Sequence, residues 1–504
     1  MENPMLKKLA IVSACAAFLW SCGARDAQTV IADAEAKLGD VNSITYSGTA
    51  KDVAFQQCGA NESDMQCRGT HDPMRPITEY TRVINVEEPM SRHTGKTVNI
   101  GPGGSTAVTP GTFYQEVTVE QPWPNQVEFY LTPWGFLEGA EENNATVSQQ
   151  EMDGKMYTVL SWSPEVKAPS GANYVLNAYL DSDDLIERVE TWLPDNIMGD
   201  MHVVADYSDY QDFDGAMVPT HMMETRGGWP FFEVDVDAAE ANPENLEAIV
   251  MAPAPKGKGK FGKGKGKGKG GPPQFDVEAE KLGDGVWRLT TGPGSYDSVI
   301  VEFDDHIMML EAGQSQARAT AYIEKAKELI PDKPITYVFN THPHSDHTGG
   351  LPALVAEGAT IITSENNAEF FERALNTPRT LLDPAVDVLA AHPMEAKVET
   401  IPENGMKVYT DGNETVELYH VWPVPHSNGL SIAFLPKEKV LFQGDFSVNP
   451  GQPANDHVYA VVPIIEDLGL DYDRYINVHA SAAPQHKSDV MKAYQAREAG
   501  GEGE

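Results

Sequence analysis

The sequence predicts two domains of different class, a β-rich amino-terminal half and an α/β carboxy-terminal half. Three observations carry this. Before residue 252, runs of β-branched and aromatic residues alternate with turn formers. After residue 274, short apolar runs flank a stretch with helical spacing, giving strand, helix, strand. Between them, residues 253–273 (PAPKGKGKFGKGKGKGKGGPP) alternate glycine with lysine and have no apolar face to bury. A length of 504 residues already exceeds one ordinary domain.

At the amino terminus, Lys7 and Lys8 precede an apolar run at 9–19 (LAIVSACAAFL), too short for a stable membrane anchor. Leu19-Trp20-Ser21-Cys22-Gly23 follows and resembles a bacterial lipoprotein signal, with a small residue before the cysteine that becomes lipidated. Trp20 departs from that pattern, and a plain signal peptide cut nearby is the alternative. Residues 1–22 are therefore read as a signal peptide. The protein is expected to be exported, periplasmic or anchored to the outer membrane of a Gram-negative bacterium through Cys22. Export would let Cys58 and Cys67, in FQQCGANESDMQCRGT, pair as a disulfide across a short loop; two free thiols are the alternative.

Residues 23–252 form the expected β-rich domain. A short leading helix is predicted at 31–38, and strands at 155–162, 173–181 and 185–193, separated by DG, SG and DSDD. The stretch 206–222 (DYSDYQDFDGAMVPTHM) resembles the closing strands of the periplasmic lipoprotein-carrier type of fold, a curved sheet forming a half-open barrel. His71, His93, His202 and His221 are scattered, and no catalytic constellation is visible; the role implied is binding of a lipid, a partner or the substrate. The 253–273 segment reads as a solvated tether, or as a basic strip touching an anionic surface. The net charge of -38 repels phosphate backbones, so nucleic acid is excluded as a partner.

Residues 274–497 form the expected α/β domain, with 498–504 a flexible tail. Strands are predicted at 285–291, 298–303 and 307–310. Residues 317–330 have helical spacing and end at Pro331, and 335–339 (ITYVF) reads as a buried strand. That strand leads into Thr341-His342-Pro343-His344-Ser345-Asp346-His347-Thr348-Gly349-Gly350. Four potential ligands fall within six residues, in a chain with only 14 histidines. A turn at a strand end can converge such side chains, and a helix starting near Leu351 would turn its positive end towards them. Imidazole and carboxylate suit zinc, iron or manganese.

This His-x-His-x-Asp-His run resembles the signature of the metallo-β-lactamase superfamily, and the likeness extends over about residues 277–493. It implies an αββα sandwich and three further ligands. His426 in PVPHSNGLSIAFL, Asp445 in VLFQGDFS and His479 in YDRYINVHAS fit the family's places, with His486 and His457 as alternatives for the last. The resemblance implies one cation held by His342, His344 and His426, a second by Asp346, His347 and His479, and Asp445 bridging. Two divalent ions, zinc first and iron or manganese as alternatives, would then acidify a shared water, with Asp346 as the catalytic residue that orients it. Leu310-Glu311-Ala312-Gly313 departs from the aspartate usual at that strand end; Glu311 either orients histidines through a longer arm or is a different local solution.

The function implied is an exported metal-dependent hydrolase acting on a small ester-like substrate such as a lactone, thioester or β-lactam. An iron dioxygenase on the same scaffold is the alternative within enzymes. A ligand-binding surface lipoprotein with little turnover is the alternative outside them. Residues 366–379 (NNAEFFERALNTPR) are expected to cover part of the site with aromatic side chains, or to belong to the core.

Overall fold

The structure, a computed structural model, describes residues 25–53, 74–100, 108–247, 274–292, 294–449, 451–479 and 483–501. The leader with Cys22, the pair Cys58 and Cys67, His71, the 253–273 segment and residues 502–504 lie outside the described residues. Among the described residues no helix is long and apolar enough to cross a membrane.

The described residues open with the helix Ala27–Leu38, longer at its start than the apolar spacing alone predicts. The extra turn comes from Asp26, whose carboxylate accepts the Thr29 N–H at 2.8 Å and caps the helix. Its buried face is Val30, Ile31, Ala34 and Leu38, the i, i+4, i+8 stripe of an amphipathic helix.

Among the described residues, eleven antiparallel strands form one sheet. From edge to edge they are Val108–Thr118, Met90–Ile100, Arg75–Asn85, Ser43–Asp52, Trp229–Ala241, Ala216–Arg226, Gly199–Phe213, Ile186–Asp195, Leu176–Leu180, Lys155–Trp162 and Thr146–Met152. The two edge strands do not pair, so the sheet is not closed, and the hairpin within 206–222 lies in its interior. One difference from expectation stands out. Two helices, Trp123–Tyr130 and Pro133–Glu142, interrupt the β pattern. Thr132 caps the second, accepting Gly135 N–H at 3.1 Å, and Phe136 and Leu137 bury against the sheet.

The carboxy-terminal half is a four-layer sandwich. One sheet runs Glu278–Gly283, Val286–Thr290, Ser298–Glu302, Ile307–Leu310, Ile335–Phe339, Thr360–Ser364, Lys397–Ile401. The other runs Met406–Thr410, Thr415–His420, Ser431–Leu435, Val440–Gln443, Arg474–Asn477, Gln485–His486. Their facing sides meet in one apolar core, with Val299, Met308, Leu310 and Phe339 from the first and Leu418, Leu435, Phe442 and Ile476 from the second. Helices Gln316–Leu329 and Glu365–Ala374 cover the outer face of the first sheet, and Asp456–Asp467 and Lys487–Gly501 that of the second. Strand 335–339 buries Ile335, Val338 and Phe339 and half-buries Thr336 and Tyr337, as a short, mostly apolar run in the sheet interior would. The aromatic residues of 366–379 belong to the core: Phe370 and Phe371 are 3% and 0% exposed.

Candidate metal centre

The site forms where strands of both sheets end. Strand Ile335–Phe339 delivers the 341–350 loop, Val440–Gln443 delivers Asp445, and Arg474–Asn477 delivers His479. The last two strands are parallel neighbours with Gln443 opposite Asn477, so residues two positions beyond each meet. The Gln443 carbonyl accepts Val478 N–H at 3.0 Å and keeps the two exits together. His426 arrives on the loop before Ser431–Leu435, tied by Ser431 N–H to the Thr341 carbonyl at 2.8 Å.

The first loop is held by Glu311. Its Oε1 accepts Thr341 N–H at 2.6 Å and its Oε2 lies 3.3 Å from His347 Nδ1. Fully buried and with a positive φ of 68°, Glu311 occupies a backbone region costly for a non-glycine residue, as residues at functional sites often do. Thr341 Oγ1 lies 3.0 Å from His342 Nδ1. These contacts turn the Nε2 atoms of His342 and His347 inward. A helical turn, Ser345–Thr348, carries Asp346 and His347. Gly349 must follow, because a Cβ there would lie 1.9 Å from the Gln314 carbonyl oxygen.

The seven side chains singled out from the sequence converge in two clusters, His342, His344, His426 and Asp445, and Asp346, His347 and His479. Asp445 faces both. Its Oδ2 lies 2.9 Å from His426 Nε2 and 3.7 Å from His342 Nε2. Its Oδ1 lies 2.8 Å from both His347 Nε2 and His479 Nε2. Within the first cluster His342 Nε2 stands 3.0 Å from His344 Nδ1 and from His426 Nε2. Asp346 Oδ2 lies farther out, 3.6 Å from His479 Nε2 and 3.8 Å from His347 Nε2. His486 is exposed on the last strand, away from both clusters. His457 meets the His426 ring edge-on, with centroids 4.6 Å apart, and contributes to neither cluster.

The donor atoms fit cations. His347 Nε2 and Asp445 Oδ1 are buried and only 2.8 Å apart, yet they make no hydrogen bond. Both aim at common space rather than at each other, the arrangement of ligands around an ion. Electrostatics differ between the rings: burial lowers His347, but the Asp445 and Glu311 carboxylates outweigh it and hold that imidazole well above its usual range. Burial opposes ionisation of Asp445, but the imidazoles of His347 and His426 outweigh it and hold the carboxyl well below its usual range. Burial, reinforced by the neighbouring imidazoles, pushes His342 well down, leaving a neutral ring with a lone pair.

One residue of the site was not legible in the sequence. Tyr296 donates its hydroxyl to Asp346 Oδ2 at 3.1 Å, and its ring lies 4.8 Å from that of His479. Burial first, and the Asp346 carboxylate second, push its phenol well up, so it stays a donor. It sits in the turn-rich TTGPGSYDS, where no spacing marks it. Its place is fixed by the bridge between Tyr296 and His479 and by Asp297 N–H on the Val478 carbonyl at 2.7 Å.

The carboxy-terminal half is similar to known proteins. A curated relative, the 2,4-dinitroanisole O-demethylase subunit alpha of Nocardioides sp. (strain JS1661), is 26% identical over 208 residues, 40% of this chain. The match spans 57% of that relative's length. Similar solved structures include metallo-beta-lactamases from Pontibacter korlensis (17% identity, 44% of this chain and 99% of that one, TM-score 0.31) and Hirschia baltica (21% identity, 44% and 96%, TM-score 0.32). The family model of the metallo-beta-lactamase superfamily matches residues 291–488, so this part of the chain is a metallo-beta-lactamase superfamily domain.

Proposed function

We propose that the protein is a metal-dependent hydrolase of a small ester-like substrate, a lactone, thioester or β-lactam. The observation that carries this reading is Asp445, whose two carboxylate oxygens each face a different cluster of imidazoles. That is the donor set for two divalent cations, zinc before iron or manganese, because it offers imidazole and carboxylate and no thiolate. Such ions supply Lewis acidity and an acidified water near neutral pH.

The chain's own residues then have distinct tasks. His342, His344 and His426 would hold one ion, and Asp346, His347 and His479 the other, with Asp445 between them. Asp346 stands off at 3.6 to 3.8 Å from the imidazoles and is fixed by the Tyr296 hydroxyl, a geometry suited to accepting or orienting the proton of the attacking water. Glu311 and Thr341 keep the rings in one tautomer by occupying their outer nitrogens. The demethylase relative adds aryl methyl ethers to the substrates worth testing. The leader residues support export and anchoring through Cys22, and the charge of -38 argues against a nucleic-acid substrate.

The test is metal analysis of the purified protein, followed by lactone, thioester, β-lactam, phosphodiester, sulfate-ester and aryl-ether substrates with and without chelator. The expected result is about two divalent ions per chain, with turnover abolished by chelation and by His342→Ala. A protein that takes up no divalent ion, or turnover indifferent to both treatments, would overturn the reading.

A further inference from the structure

The amino-terminal sheet reaches the metal loop. The turn between Ile186–Asp195 and Gly199–Phe213 ends on the carboxy-terminal domain, where Asn196 Nδ2 donates to the Gly349 carbonyl at 2.9 Å. Gly349 closes the helical turn that carries Asp346 and His347. Carbonyls at the end of such a turn have no partner within it, and Asn196 supplies one from another domain.

The contact is built rather than incidental. Gln316, 5% exposed, donates Nε2 to Asn196 Oδ1 and to Asp387 Oδ2, both at 2.8 Å, and accepts Val388 N–H at 2.7 Å. Because Gln316 donates to Asn196 Oδ1, the Asn196 amide group must point its N–H at Gly349. Arg379 donates to the Asn196 backbone carbonyl at 2.5 Å and clamps Asp387 with two bonds, at 3.0 and 2.6 Å. Asp387 is 2% exposed and caps the helix Val388–Ala391 through Ala390 N–H. The backbone beside Asn196 is equally committed. Gly199 has φ 62°, and a Cβ there would lie 2.5 Å from the Pro378 carbonyl oxygen. Asp200 accepts Thr380 N–H, Thr380 O–H and Leu381 N–H at 2.7 to 2.8 Å.

We propose that Asn196 is a positioning residue for the metal centre: its amide sets the turn bearing Asp346 and His347, so the amino-terminal domain completes the site it docks on. This rests on the reading of the centre as a metal site. Adhesion alone does not need Asn196, since the Asp200 contacts with 380–381 already join the domains without touching the metal loop.

The full-length protein is compared with Asn196→Ala, Asn196→Asp and Thr380→Val. Asn196→Asp keeps the shape and the acceptor for Gln316 but sets an oxygen against the Gly349 carbonyl. Thr380→Val removes one docking bond remote from the loop. Zinc affinity is measured by competition with a chromophoric chelator, and cobalt substitution gives the ligand-field spectrum. Both Asn196 variants are expected to weaken one of two zinc equivalents by about 10- to 100-fold and alter the cobalt bands, while Thr380→Val stays within about twofold of the parent. Asn196 variants that bind both equivalents like the parent, or a Thr380→Val that weakens zinc as much, would overturn the proposal. Should Asn196→Ala fail to fold, Asn196→Asp carries the comparison. A parent protein that takes up no zinc would instead overturn the metal reading itself.

Discussion

Both halves of the molecule bury ionisable side chains, and they satisfy them in opposite ways. In the amino-terminal domain Arg82, Glu128, Glu224 and neighbouring Arg226 lie within one buried cluster of two guanidinium and two carboxyl groups. Arg226 donates Nε to Glu224 at 2.9 Å and Nη2 to Glu128, and Arg82 donates to the Glu128 carbonyl at 2.8 Å and to Ser91 Oγ at 2.9 Å. In the carboxy-terminal domain the groups facing Asp445 are imidazoles, and several of their nitrogens crowd within 3.0 Å of one another. Guanidinium groups close the first cluster with directed donors. On the proposed metal reading, converging lone pairs leave the second to be closed by a cation from outside. Buried charge alone therefore does not mark a metal site; convergence of several imidazoles on one carboxylate is the distinguishing feature.

This contrast can be broken most sharply at Arg226. Arg226→Met leaves Glu128 and Glu224 buried without their partner and should cost about 3–5 kcal/mol in denaturant unfolding. A loss below about 1 kcal/mol would mean that Arg226 does not close the first cluster.

Metal linkage comes next. Zinc at a hundredfold excess over its Kd should stabilise the protein by about 2.7 kcal/mol per site bound only when folded. His342→Ala should lose the contribution of one site, read as a smaller rise in Tm, while Arg226→Met should keep the full zinc-dependent increment.

The pH dependence is smaller. Burial, then the Glu128 carboxylate, raise the Glu224 carboxyl to about 8 against an ordinary value of 4.5. The folded protein then binds the extra proton, so this group's effect on stability is unfavourable to rising pH between those values and constant above them. Glu224→Gln should flatten that fall, by at most about 1.4 kcal/mol per pH unit, in denaturation midpoints measured from pH 5 to 8. An unchanged slope would place the proton elsewhere.

The two domains should respond alike where their physics is alike. Asp26→Ala and Ser315→Ala each remove a helix cap, at Thr29 N–H and Arg318 N–H, and each should cost about 1 kcal/mol in thermal unfolding.

The metal loop was legible because its ligands are close in sequence and follow an apolar strand; His426, Asp445 and His479 were legible through the family resemblance, His426 ahead of a strand and the other two just beyond one. Strands 155–162, 307–310 and 335–339 emerge with the bounds their patterns predict, since alternation or unbroken apolarity reports burial directly. The helices Trp123–Tyr130 and Pro133–Glu142 were not, because their aromatic content reads as β and their prolines as turns until the first helical position is recognised.

Sequence by itself determined which side chains carry chemistry: the identity and spacing of donors are local, and so are the strand ends that present them. Tertiary structure alone decided what surrounds them. Tyr296 on Asp346 and Asn196 on Gly349 come from residues 50 and 153 positions away. Such contacts leave no periodic trace, because each depends on one meeting of elements whose docking is set by the packing of whole layers.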